Sequence, residues 1–376
     1  MSPLSRLASI DALRGAVMVL MLVDHAREFF FLHRQVTDPM QLDATPPELF
    51  FTRLLSHFCA PIFVLLTGLG AWLHGQRPGV HPAQTSAYLF KRGLLLIVLE
   101  LTLVGFAWSF ELPPRTVYLQ VIWAIGLSML ALALLLHLPW SVQLGLGLLI
   151  VFGHNLLDGV HFHSGEAGFL PWAVLHDRGW IELGEGLRVR TSYPVLPWIG
   201  VILFGYQLGR LYRPGSAVRR QTLLLGMGLA ALILFVGLRL AHGYGDRDWV
   251  AGASAVQTVM AFLNVTKYPP SLQFLLLTLG WGLIALALLE RVRPWPALVV
   301  LGSAPMFFYL LHLYVLHLLY LLLAPAQSVQ GAPRWGFDAV WQLWVCAGLV
   351  LLLIYWPCRW YARFKRTTSV ALLRYL

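Results

Sequence analysis

Long apolar stretches separated by short polar turns dominate the chain, and none of the long stretches alternates as a half-buried strand does. Runs such as GLLLIVLELTLVGFAW and QTLLLGMGLAALILFVGL approach the about 20 helical residues that cross a ~30 Å hydrocarbon layer. In lipid, only helices or closed barrels satisfy every backbone polar group, and uninterrupted runs lack the period-two pattern of barrel strands. The pattern predicts an all-α, polytopic integral membrane protein with about ten transmembrane helices. They fall near 10–31, 50–74, 88–110, 117–137, 140–157, 194–212, 219–241, 271–290, 297–323 and 337–358.

Composition supports this class. Of 376 residues, 58% are hydrophobic and 12% charged, about half the charged share of a soluble domain. The net charge of +10 would suggest nucleic acid in a soluble protein, but here the basic residues gather in alternate turns. One turn has Arg77, Lys91 and Arg92, another Arg210, Arg213, Arg219 and Arg220, a third Arg291 and Arg293, and the tail Arg359, Arg363, Lys365 and Arg366. With ten spans these share one side with Arg6, while 158–190 carries Asp158, Glu166, Asp177, Glu182 and Glu185. The positive-inside rule then places both termini in the cytoplasm. The bilayer is the expected partner and nucleic acid is not. No linker divides residues 1–376, so a single membrane domain is expected, with external loops near 158–193 and 242–270. The first loop has room for a short amphipathic helix. A homodimer is compatible with this reading. Cys59, Cys346 and Cys358 show no CxxC spacing, so neither a disulfide framework nor a metal site is expected. The N-terminal run lacks a small-residue cleavage signature and reads as a retained first span.

Against that background, ionisable residues inside apolar runs are the informative ones, because a charge at the bilayer centre costs about 2.5–3.5 kcal/mol on insertion scales. MLVDHAREFF places Asp24, His25, Arg27 and Glu28 at the outer end of the first span. His57 lies in the outer part of the second, and His312 and His317 beyond the midpoint of the ninth. A lone membrane histidine usually serves packing. Several at one depth favour chemistry, since imidazole exchanges protons near neutrality. Asp24 can set the charge or tautomer of His25, although neighbours on a helix point about 100° apart. Arg27 and Glu28 suit an interfacial anchor equally well. Asp11 and Arg14 can pair at i and i+3. Glu100, deep in the third span, is either a packed structural acid or part of a proton path. NVTKYPPSLQF offers Asn264, Lys267, Tyr268 and Gln273 at the start of a span, with Lys267 suited to an anion. Trp198 marks the outer end of the sixth span, along which Gly200, Gly205 and Gly209 permit close packing. P-loop, GxGxxG, HExxH and GxSxG motifs do not occur in their required contexts.

SIDALRGAVMVLMLVDHAREFF and LFFTRLLSHFCAPIFVLLTGLGAWL resemble bacterial membrane proteins related to the catalytic domain of heparan-α-glucosaminide N-acetyltransferase, within a wider transmembrane acyltransferase superfamily. FLNVTKYPPSLQFLLLTLGWG and LGSAPMFFYLLHLYVLH resemble the same group. The resemblance implies a bacterial inner-membrane enzyme. It would carry an acyl group, acetyl above all, from cytoplasmic acetyl-CoA or another acyl-CoA to an amine or hydroxyl of an external glycan or sugar-like small molecule. The superfamily's first-span histidine falls on His25, and the acetyltransferase's catalytic histidine on His33 across a small gap. Where that enzyme has an acid near its second span, this chain has His57.

The expected catalytic set is therefore His25 as general base with Asp24, His33 as competing base or acyl carrier, and His57 and His312 as oxyanion or substrate contacts. Arg27, Trp198, Asn264, Lys267, Tyr268 and Gln273 are expected to bind substrate. Arg14, Lys91 and Arg92 are expected to meet CoA phosphates. The alternatives are a transporter that uses Glu100 and the histidines as a relay, and an assembly partner without chemistry.

Overall fold

The computed structural model describes residues 7–31, 40–42, 44–184, 186–324, 335–370 and 373. The chain is mostly helical and divides into two compact units. One comprises Ala60–Asp248 and Val265–Leu288; the other comprises Leu7–Cys59, Trp249–Asn264 and Leu289–Leu376.

The second unit is built on α1 (Ala8–Phe30). It also contains α2 (Pro47–Ser56), α11 (Ala255–Leu263), α13 (Pro296–Gly302), α14 (Pro305–Leu323) and α15 (Val340–Thr367). α1 packs against α2, α13, α14 and α15. The approach to α13 is close enough that a Cβ on Gly15 would meet the Leu298 backbone, and one on Gly302 the Asp11 carbonyl. Small residues bring helix backbones together in this way in membranes. The predicted 297–323 span is two helices, α13 and α14, because Pro305 has no N–H to continue the first and restricts the residue before it. α15 runs past the predicted end at 358, accommodates Pro357, and closes with Lys365 and Arg366 in its last turn, where cations suit the helix dipole.

The other unit holds α3 (Cys59–Gly75) from Ala60 onward, then α4 (Pro82–Leu99), which passes through a π-turn at Glu100–Val104 into α5 (Gly105–Ser109). α6 (Val121–Leu135), α7 (Trp140–Gly153), α8 (Phe169–Leu175), α9 (Leu196–Leu208), α10 (Ala217–Leu240) and α12 (Leu272–Leu289) follow. The expected packing role of the glycines on α9 and just after it is found. A Cβ on Gly205 would strike the Leu65 backbone of α3, and one on Gly209 the Trp72 side chain.

Two departures from an all-α reading come from short β-forming stretches. The predicted 117–137 span begins as strand β1 (Thr116–Leu119), and its helix has only 15 residues. The 158–190 loop contains the expected short helix, α8, and also β2 (Trp180–Glu182) and β3 (Arg188–Thr191). β3 is central, parallel to β1 with Thr116 opposite Arg188 and antiparallel to β2 with Trp180 opposite Arg190. β-branched and aromatic residues favour these strands, and Gly184 and Gly186 supply positive φ in the β2–β3 turn.

Six helical segments among the described residues are long and apolar enough to cross a membrane. They are Pro47–Gly75, which joins α2 to α3, Trp140–Leu157, Ala217–Leu240, Leu272–Leu289, Pro305–Leu323 and Val340–Thr367. α1 falls outside this set because it carries Asp11, Arg14, Asp24, Arg27 and Glu28.

Glu100 has a structural role in this fold. It is 1% exposed, and its carboxyl oxygen accepts from Trp123 N at 3.1 Å. The N–H groups of Ile122 and Gln120 face the same carboxyl. These donors start α6 and have no partner within their own helix. The acid on α4's π-turn thus caps a neighbouring helix. Glu100→Leu is expected to lower the stability of the purified protein by about 1–3 kcal/mol, as for other orphaned buried donors, with Glu100→Gln milder. Thermal unfolding in detergent checks this, and an unchanged Glu100→Leu variant would remove the cap's importance.

Candidate active site

The last two turns of α1 carry the charged residues predicted from the sequence, in an arrangement dominated by one carboxylate. Arg27 Nε donates to Asp24 Oδ1 at 3.1 Å, the i to i+3 pairing that a helix brings to one face. Arg53, from α2, donates to Asp24 Oδ2 at 2.5 Å. Arg27 also pairs with Glu28. Arg27 is 1% exposed, so its guanidinium is held in the interior by acids rather than at a wetted rim. Arg53 was not among the predicted site residues. Its signal was available in LFFTRLLSH, because a charge near an apolar run has to find an acid or an exit to water.

His25 is positioned by a different partner. Its Nδ1 lies 2.7 Å from Nε2 of His312, a residue 287 positions away on α14. The ring centroids are 5.0 Å apart with planes inclined by 14°. Since the centroid separation exceeds the N–N distance by about one ring radius at each end, the rings meet edge to edge and nearly coplanar. His312 Nδ1 lies 2.7 Å from the Phe308 carbonyl. A carbonyl only accepts, so His312 carries its proton on Nδ1 and presents an Nε2 lone pair. His25 Nδ1 therefore donates to His312, and the lone pair of His25 resides on Nε2. The phenol ring of Tyr309 stands edge-on to both imidazoles, at 5.8 Å from His25 and 5.6 Å from His312. His312 and Tyr309 are buried. The structure thus places His25 in an imidazole–imidazole–carbonyl chain, while the two oxygens of Asp24 face arginines.

Other predicted residues of this unit lie elsewhere in it. His57 is buried at the junction between α2 and α3. Arg14 pairs with Asp11 at 3.3 Å. Asn264 ends α11 and donates to the Met40 carbonyl at 2.9 Å, next to the Met40, Phe50, Leu54 and Met260 cluster. His33 lies outside the described residues. A cavity of about 620 Å³ opens where α1 ends and α2 and α15 begin, lined by Phe31, Leu49, Thr52, Val340, Trp341 and Trp344 among others.

The remaining predicted residues belong to the first unit. On α4, Lys91 is exposed and Arg92 donates to Tyr88 Oη at 2.8 Å. Tyr88 stacks on His74 at 4.1 Å. The Arg92 Nε, His74 Nδ1 and Thr85 Oγ1 atoms are buried without a hydrogen-bond partner among the described residues. This group of donors, with Arg77 within electrostatic reach of His74, suits an anion such as a phosphate. Trp198 is fully buried at the start of α9, and Gln273 donates to the Tyr244 carbonyl at 3.2 Å. Lys267 and Tyr268 lie just before α12, with the Lys267 Nζ 5.3 Å from the Tyr268 ring centre.

Apolar helices of membrane-crossing length define a helical membrane protein, and among its described residues is a pair of hydrogen-bonded imidazoles, His25 and His312. Comparison with known families gives the particular one. Residues 6–244, well over half of the chain, match the family model described as heparan-alpha-glucosaminide N-acetyltransferase, catalytic, and the chain belongs to that family. The match covers His25, Asp24, His57, Lys91, Arg92 and Trp198, and ends before Lys267 and His312. No curated protein matches the chain.

Proposed function

We propose that this protein is a multi-pass acyltransferase of the bacterial inner membrane. In this reading both termini are cytoplasmic, and acetyl or another acyl group passes from cytoplasmic acyl-CoA to an amine or hydroxyl of an external glycan or sugar-like acceptor. The family match supports acetyl transfer, and the alternate basic turns support the orientation. The observation that carries the chemistry is the His25–His312–Phe308 chain, because it fixes which nitrogen of His25 is basic.

An amine or hydroxyl attacks a thioester well only as its proton departs. His25 Nε2 takes that proton as the acceptor's nitrogen or oxygen bonds to the acyl carbon. His312 accepts the Nδ1–H of His25 throughout and so holds the ring in the tautomer the step requires. When the C–S bond breaks, the imidazolium of His25 returns its proton to the CoA sulfur, which leaves His25 neutral for the next turnover. The partnerless donors around Arg92 and His74 fit the phosphates of an acyl-CoA in chemistry.

The test is direct. Purified protein in detergent is incubated with labelled acetyl-CoA and a panel of amino sugars and glycans, and products are read by mass spectrometry. Transfer of label to an acceptor is the expected result. Absence of transfer across the panel, with uptake of a solute in proteoliposomes and no acyl-CoA consumed, would replace this reading with the transport alternative.

A further inference from the structure

α15 ends in a band of positive charge that no acid of its own segment neutralises. From Ala339 to Leu376 the sequence holds no Asp or Glu, while Arg359, Arg363, Lys365 and Arg366 fall within eight residues. Among the described residues, no carboxylate lies within ion-pair distance of Arg359, Arg363 or Arg366. One face of these last turns is fixed within the unit. Ile354, Cys358 and Tyr361 are buried, and the Tyr361 ring stacks on Phe307 of α14 with centroids 4.2 Å apart. That packing sets the rotation of the helix and therefore where the arginines point.

Residues three and four apart share a helix face. Leu352, Trp356, Arg359, Arg363 and Arg366 follow one another at that spacing, across the helix from the buried face. Leu352 and Trp356 are exposed, as are Arg363 and Arg366. The Arg359 guanidinium carbon lies 5.2 Å from the Trp356 ring centre, so the first cation rests on the last aromatic of the stripe. Trp360, beside it, is 61% exposed and stacks on Phe364. α15 is one of the helices long and apolar enough to cross a membrane, and tryptophan at the end of a span sits at headgroup depth. The stripe thus changes from hydrocarbon to cation where a lipid changes from acyl chain to phosphate. Span orientation and the helix dipole ask only for cations near this end, on any face. Neither accounts for three of them on the face that continues the apolar stripe.

We infer that this face of α15 binds an anionic phospholipid of the bilayer, with its acyl chains along Leu352 and Trp356 and its phosphate among Arg359, Arg363 and Arg366. Guanidinium groups grip phosphate oxygens through parallel N–H bonds, and basic clusters at the end of a membrane helix gain from anionic headgroups. The site lies within one compact unit, and it stands whether or not the protein transfers acyl groups.

Native mass spectrometry of the full-length protein, delipidated in detergent and then titrated, tests this. The probes are phosphatidylglycerol, phosphatidylcholine and glycerol phosphate. Wild type is expected to bind phosphatidylglycerol more tightly than either of the others. A cation beside an anionic headgroup contributes about fivefold in affinity. Arg359→Gln, Arg363→Gln and Arg366→Gln together should therefore weaken phosphatidylglycerol binding by about 100-fold and leave phosphatidylcholine nearly unchanged. A control with the same loss of charge elsewhere, Arg213→Gln with Arg219→Gln and Arg247→Gln, should bind as wild type does. The proposal is overturned if wild type does not distinguish the two lipids, if the α15 variant keeps wild-type affinity, or if the control loses as much. It also falls if glycerol phosphate binds as tightly as phosphatidylglycerol, since a free phosphate would then occupy the arginines without the apolar stripe. Should the triple variant fail to fold, Arg363→Gln alone is read in the same titration. A loss of about fivefold is expected there, and no loss would be equally decisive against the site.

Discussion

Replacing His25 with alanine is expected to lower acyl transfer by about 10²–10⁴-fold, the usual contribution of a positioned general base, and to leave the protein folded. The effect falls on kcat, because the proton moves only as the acceptor attacks. In the proposed mechanism His312 acts through His25, so its variants should be graded by what they offer His25 Nδ1. His312→Leu removes the acceptor and frees the ring, and a loss of about 10-fold or more is expected where orientation alone is disturbed. His312→Gln places a carbonyl oxygen that can accept the same proton and should recover much of the rate. A merely structural histidine would not show that rescue. Steady-state kinetics with labelled acetyl-CoA, alongside thermal unfolding, checks the series. Full turnover by His25→Ala would eliminate His25 as the base and leave His33, outside the described residues, as the remaining sequence candidate.

The second large effect is on stability. Asp24→Leu deprives two arginines of the carboxylate they share, one of them Arg27, which is 1% exposed. Removing one partner of a buried ion pair costs about 3–5 kcal/mol where the remaining charge stays out of water without compensation; Arg27 keeps its pairing with Glu28, so a loss towards the lower end of that range is expected. Asp24→Asn keeps an oxygen acceptor and should fall between Asp24→Leu and wild type. The double variant Asp24→Leu with Arg27→Met should recover part of the loss, since an apolar replacement of a buried pair is often near neutral, although Arg53 still loses its bond to Asp24. Purified variants are compared by thermal unfolding in detergent. An Asp24→Leu protein within about 1 kcal/mol of wild type would show that Asp24 is not what supports Arg27, whose pairing with Glu28 would then suffice.

How far the sequence reached depends on the range of the interaction concerned. The apolar runs located most helices, because burial in lipid is written residue by residue. Boundaries failed where a local rule competed with apolarity: Pro305 divided one predicted span, and TVYL became a strand before the 121–135 helix began. The i to i+3 link of Asp24 to Arg27 was within reach of helix geometry alone. The choice between a structural and a proton-carrying Glu100 was not, since it depended on which helix began within hydrogen-bond reach of the third predicted span.

From the sequence alone came a chain built for lipid, histidines at related positions in separate apolar runs, and a resemblance that the family match upholds. Hydropathy and charge order are local properties and survive without any knowledge of neighbours. Only the tertiary structure decided that His25 bonds His312 while Asp24 turns to Arg27 and Arg53. Adjacent side chains on a helix diverge by about 100°. Their partners are therefore chosen by whichever helices pack on each side, and no linear pattern records that choice.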